Sequence, residues 1–131
     1  MLRDDQELCD CFAYVPVAFT QSDMSLGLLC HIDSGERGMC DVAIGVSPEG
    51  ATVLAGERCS EVSVTCNVQC ERGALMSIIR GEVDPMNALM SGQVTVDDLG
   101  QLMAFKIAFS FNRAAFNAFL DERRRLAGAT I

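Results

Sequence analysis

Apolar positions along this chain switch between helical and strand periods, and each switch marks a change of element. From Leu8 the spacing is helical: Leu8, Cys11, Phe12 and Val15 fall at i, i+3, i+4 and i+7 on one stripe. Asp4 and Glu7 ahead of it have the spacing of a capping box. Pro16 is expected to stop or re-start this helix, because its ring clashes with the preceding turn. Val17 and Phe19 would carry the apolar surface into a connector. From Leu26 the period falls to two. Leu26, Leu28, Cys30 and Ile32 share one face of a strand, and Cys40, Val42, Ile44 and Val46 share one face of the next. Asp33-Ser34-Gly35 and Ser47-Pro48-Glu49-Gly50 supply turn chemistry between them. Ala51–Leu54 is a third short strand. Glu61–Gln69 alternates most cleanly, with Val62, Val64, Cys66 and Val68 expected inward. The short turns favour an antiparallel meander.

After Gln69 the helical period returns. A helix over about Glu71–Arg80 buries Leu75, Met76 and Ile79. Gly81 ends it, and Asp84-Pro85 reads as an N-cap followed by proline at the first helical position. Met86, Leu89 and Met90 are expected on one face of the short helix that follows. Gln93–Val96 alternates like a strand that joins the sheet apart from the others. The next helix, Leu99–Phe109, is apolar on two sides: Leu102, Phe105 and Phe109 on one, Leu99, Met103 and Ile107 on the other. Such a helix is buried on both sides, lines a cavity or faces a partner. Ser110 or Asn112 would cap a final helix whose inner face holds Phe116, Phe119 and Leu120, with Asp121 and Arg125 spaced to pair.

The run Gly81-x-x-Asp84-Pro85-x-x-Ala88-x-Met90-Ser91-Gly92, then a short strand, then an apolar helix carrying Ala104 and Lys106, resembles the carboxy-terminal half of the sterol carrier protein type two domain. The resemblance is good over about Ala74–Phe109 and looser over the strands before it. It implies an α/β (α+β) fold in a single domain over residues 1–131. About five mainly antiparallel strands would be covered by about five helices, with a hydrophobic tunnel between the layers. The walls it implies are Met76, Ile79, Met86, Leu89, Met90, Leu102, Met103, Phe105, Phe109 and Phe116. Methionine adapts its shape and suits a site for varied apolar ligands; the same stripes are also what a plain core would contain. Two departures stand out. No good cap residue precedes the Glu71–Arg80 helix, and Asp97-Asp98-Leu99-Gly100 replaces the Gly-Asp that the family tends to carry after a basic residue.

Composition narrows the function classes. At 131 residues with net charge −8, the chain is repelled by phosphate backbones and anionic bilayers, so nucleic acid is excluded as a partner. Its longest apolar run, Leu102–Phe111, is too short to span a membrane and holds Lys106. The first ten residues are acidic where a signal peptide needs a basic start, and Ala129-Thr130-Ile131 is no Ser-Lys-Leu address, so the expected location is cytoplasmic. The seven cysteines are odd in number and lack zinc-ligand spacing; they read as buried thiols, with no metal or other cofactor expected.

Candidate chemistry is sparse. His31 is the only histidine and points away from the Leu28–Ile32 face. Asp97 and Asp98 are placed to cap a helix. Tyr14 and Lys106, each the only one of its kind, read as a helix-packing ring and as an amine that snorkels to water. There is no nucleophile elbow, phosphate loop or metal signature. The leading reading is a small carrier that shelters an acyl, sterol-like or polyketide-like molecule. Two others stay open: a small cyclase or isomerase using the tunnel as reaction chamber, and an interaction module that forms a homodimer or meets an enzyme partner, since the resembled domain type occurs attached to larger enzymes.

Overall fold

Leu26–Asp33, β1, is the central strand of the sheet. A computed structural model describes residues 6–129, and in it β1 is flanked by β2 (Met39–Ser47) and β4 (Cys66–Glu71). β3 (Gly50–Ala55) lies outside β2, and β5 (Val94–Val96) lies outside β4, so the order is β3-β2-β1-β4-β5. Short turns make β1-β2-β3 an antiparallel meander. β4 enters parallel to β1, with Leu28 opposite Cys66 and Cys30 opposite Val68, and β5 closes antiparallel to β4. The sheet is thus mixed. Val94 and Val96 of the last strand join it at the edge remote from the meander.

One face of every strand is apolar and packs under helices α1 (Gln6–Ala18), α2 (Arg72–Ile79), α3 (Pro85–Met90), α4 (Leu99–Ala108) and α5 (Arg113–Ala129). The stripe Leu8, Cys11, Phe12 and Val15 of α1 is fully buried, as its spacing requires. Asp4, the proposed cap of this helix, lies outside the described residues. Pro16 does not end α1, which runs on to Ala18. The proline stands on the exposed side of the last turn, where few intrahelical hydrogen bonds remain to be lost. Val17 faces water rather than extending the core. Asp84 caps α3 by accepting from the Met86 N–H at 2.8 Å, and Asn112 caps α5 through the Ala115 N–H at 3.0 Å. Arg125, expected to pair with Asp121, is engaged by Glu122 instead.

The route from β3 to β4 departs most from the alternation. β3 is an edge and β4 lies beyond β1, so residues 56–65 must cross β2 and β1 on the outer face of the sheet. They do so as the 3₁₀ segment Gly56–Glu61 and an extended stretch, and β4 begins only at Cys66. Val62 therefore lies over Gly27 and Gly45 on the outer face, and Val64 is partly exposed, not inward. A Cβ on Gly27 would stand 2.0 Å from the Ser63 carbonyl oxygen, so only glycine admits the crossover there.

Candidate ligand site

The apolar strand face and α2–α4 do not close completely. Leu28 and Cys30 of β1, Ile44 of β2, Val68 of β4 and Val94 of β5 form the floor of a small cavity. Leu75, Ile78 and Ile79 of α2, Pro85 of α3, and Leu102 and Phe105 of α4 form its roof. The volume is about 30 Å³, and no polar side chain lines it. Water held there would find no hydrogen-bond partner, so the space suits only an apolar group.

Three of the predicted wall residues, Ile79, Leu102 and Phe105, line this cavity. Met76, Phe109 and Phe116 are buried in the surrounding core. Met86 and Leu89 are half-buried on α3. Met90 is 83% exposed and Met103 is 42% exposed, so neither is part of the wall. The cause is helix phase. α3 turns Pro85 and Ala88 inward, three residues apart, which sends Met90 to water. α4 buries Leu102, Phe105 and Ala108, leaving Leu99, Met103 and Ile107 as an exposed apolar stripe at i, i+4 and i+8. The strand residues of the floor were legible as an inward face but not as a site.

A second pocket, about 320 Å³, opens beside the first and shares Ile78 and Pro85 with it. Its rim carries Glu82, Asp84 and Lys106, with Val83, Phe109 and Phe111 among them. Lys106 Nζ lies 2.8 Å from Asp84 Oδ2. That ammonium, then the Met86 N–H, holds the Asp84 carboxyl below the usual carboxylate range. This pair joins α3 to α4; the sequence marks Asp84 only as a cap and Lys106 only as a snorkelling amine.

The other titratable candidates lie elsewhere. His31 is on the outer face, with Nδ1 2.9 Å from Asp41 and Nε2 3.3 Å from the Asn67 side-chain oxygen. Asn67 donates its side-chain amide to Asp97 Oδ2 at 3.0 Å, and its backbone N–H to Asp97 Oδ1 at 2.9 Å. Those two bonds hold the Asp97 carboxyl below its ordinary range. Asp98, not Asp97, caps α4, accepting from the Gln101 N–H at 3.2 Å. Tyr14 packs edge-on against Phe116 under α5. Burial pushes the thiols of Cys11 and Cys66 up to about 11 and that of Cys70 to about 12, and raises Cys30 further. These are inert, protonated core groups. A wider groove of about 470 Å³ runs along the outer face between the crossover and β2–β3; the charges on its rim, Arg58 and Glu61, pair with each other at 2.9 Å.

Two solved structures place this architecture. Sterol carrier protein-2 like-3 from Aedes aegypti matches with a TM-score of 0.52 and 10% identity, over 81% of this chain and 95% of that one. The fold is that of sterol carrier protein 2. The stereoselective inverting sec-alkylsulfatase Pisa1 from Pseudomonas sp. also contains this sterol-carrier fold, with a TM-score of 0.59 and 17% identity over 80% of this chain. The chain spans only 16% of the length of that sulfatase. No family model and no curated protein matches the sequence. At these identities the likeness is one of fold. Among the described residues, no helix is long and apolar enough to cross a membrane.

Proposed function

We propose that the protein is a lipid-binding carrier that shelters an acyl, sterol-like or polyketide-like molecule between the strand face and α2–α4, in the cytoplasm. The observation behind this reading is the cavity roofed by Ile78, Ile79, Leu102 and Phe105, whose walls offer no polar side chain. Each CH₂ of a guest buried there is worth about 0.8 kcal/mol. The space of about 30 Å³ is far smaller than such a guest. Binding therefore parts α4 from the sheet. The outer side of α4, with Leu99, Met103 and Ile107 exposed, leaves it room to move.

The reaction-chamber reading has less support. Tyr14 and His31 line neither space, Lys106 stands in the second pocket paired with Asp84, and the one ionisable group in the cavity lining, the Cys30 thiol, is held protonated by burial. The interaction-module reading is favoured by the exposed α4 stripe, and we keep it as the second proposal.

Native mass spectrometry of the protein as purified, with release of any guest by solvent, tests both. A co-purifying apolar molecule near one-to-one, lost in Leu102→Asp, is expected. An empty protein that is dimeric in solution, and monomeric on Ile107→Lys, would replace the carrier by the interaction module.

A further inference from the structure

We propose that the pocket beside the cavity seats the polar end of the guest and favours a neutral hydroxyl over a carboxylate. The inference rests on the carrier reading above. Ile78 and Pro85 belong to both spaces, so a chain lying in the cavity emerges at the rim formed by Glu82, Asp84 and Lys106. Two carboxylates share that rim with one ammonium, and the ammonium, the chain's only lysine, is already paired with Asp84 at 2.8 Å.

A carboxylate head would add a third negative charge, and could win Lys106 only by displacing Asp84. Asp84 is not easily displaced, because its other oxygen accepts the Met86 N–H that starts α3. An ammonium head would compete with Lys106 for the same carboxylate. A hydroxyl is both donor and acceptor. It accepts from Lys106, whose ammonium has three N–H groups, and donates to a carboxylate oxygen while the ion pair stays whole. Val83, Phe109 and Phe111 around these groups suit the first carbons next to the head.

The test titrates the full chain calorimetrically with 1-dodecanol and with dodecanoate, the latter below its micelle concentration, for the unaltered protein and for Asp84→Asn. Dodecanol is the more apolar probe in any site, so the readout is the change in the affinity ratio between the two proteins. Asn caps helices as well as Asp does, so the variant keeps α3 while releasing Lys106. The expected result is a preference for dodecanol that narrows by about fivefold or more in Asp84→Asn, through stronger dodecanoate binding. A ratio unchanged by Asp84→Asn, or unaltered protein that binds dodecanoate at least as tightly, overturns the inference and leaves the carrier reading standing. Binding of neither probe to either protein overturns both.

Discussion

Arg123 of α5 donates its Nε–H to the carboxylate of Asp10 on α1 at 2.9 Å. Asp10 is the only buried charged residue among those described, and Gln6 donates to the same oxygen at 2.8 Å. Together with the Tyr14–Phe116 ring pair at 5.3 Å, this contact holds the last helix on the first. Arg123→Ala leaves the Asp10 carboxylate, among the described residues, with the Gln6 hydrogen bond. A loss of about 1–2 kcal/mol is expected, at the low end for a buried carboxylate because Arg123 itself is half-exposed. Urea unfolding of the variant measures it; no change would mean that the rings alone hold α5.

Glycines 27 and 45 give a matched pair of substitutions under one segment. Gly27→Ala drives a Cβ to 2.0 Å from the Ser63 carbonyl oxygen, a backbone atom that cannot step aside without moving the crossover. Gly45→Ala meets only Val62 methyls at 3.8 Å, an ordinary contact. Gly27→Ala is expected to cost about 2–3 kcal/mol and Gly45→Ala much less. Thermal denaturation of both variants decides it, and equal midpoints would mean that the crossover is not held down.

The two sides of α4 should differ sharply in their response to truncation. Phe105→Ala is expected to cost about 3–5 kcal/mol and Leu102→Ala about 2–5 kcal/mol. Leu99→Ser, Met103→Ser and Ile107→Ser should each stay within about 0.5 kcal/mol in the monomer. A large loss at Ile107 that depends on protein concentration would reveal a second copy on the stripe.

Two pH limits follow from the shifts. Asp84 and Asp97 have folded pKa values below their unfolded ones, so their contribution is complete above the unfolded carboxylate range and is lost as pH falls through the folded values. Cys11, Cys66 and Cys70 are shifted the other way, from 9.0 to about 11, 11 and 12. Their contribution is complete below the unfolded thiol pKa and declines as pH rises from there through the folded values. Stability measured by urea midpoint should therefore be flat near neutrality and fall on both sides. Cys70→Ala should flatten the alkaline limb, and an unaltered limb would refute the assignment.

Thiol labelling gives an independent check. Cys11, Cys30, Cys59, Cys66 and Cys70 are buried, whereas Cys9 and Cys40 are half-buried. Under native conditions an aromatic disulfide reagent should modify the buried five only on the unfolding timescale. Fast reaction of more than two thiols would contradict the packing.

The strand and helix periods carried most of this fold: the meander, the buried stripe of α1, the Asp84-Pro85 start of α3 and the double-faced α4 were all legible. Val62 and Val64 were not, because alternation signals an extended backbone and is silent about which layer it joins. Only the sheet order forces residues 56–65 across the outer face. Met90 and Met103 fail for a related reason. An apolar residue on a short or doubly apolar helix leaves the phase undecided until the partner surface is fixed. The Asp84–Lys106 pair was invisible because its members lie on two helices separated by β5.

The crossover also sets the order in which the sheet can be made. β1 meets β2 across a short turn, but it meets β4 only after residues 56–65 have passed over it and settled at Gly27. Local hairpins close fast, and the distant parallel pairing has to wait for a longer loop to close. Wherever β4 is undocked, the backbone donors and acceptors along one side of β1 lie open to water, beside the apolar surface of Leu28, Cys30 and Ile32. The parallel pairing with β4 is therefore what turns a potential edge for association into the centre of the sheet.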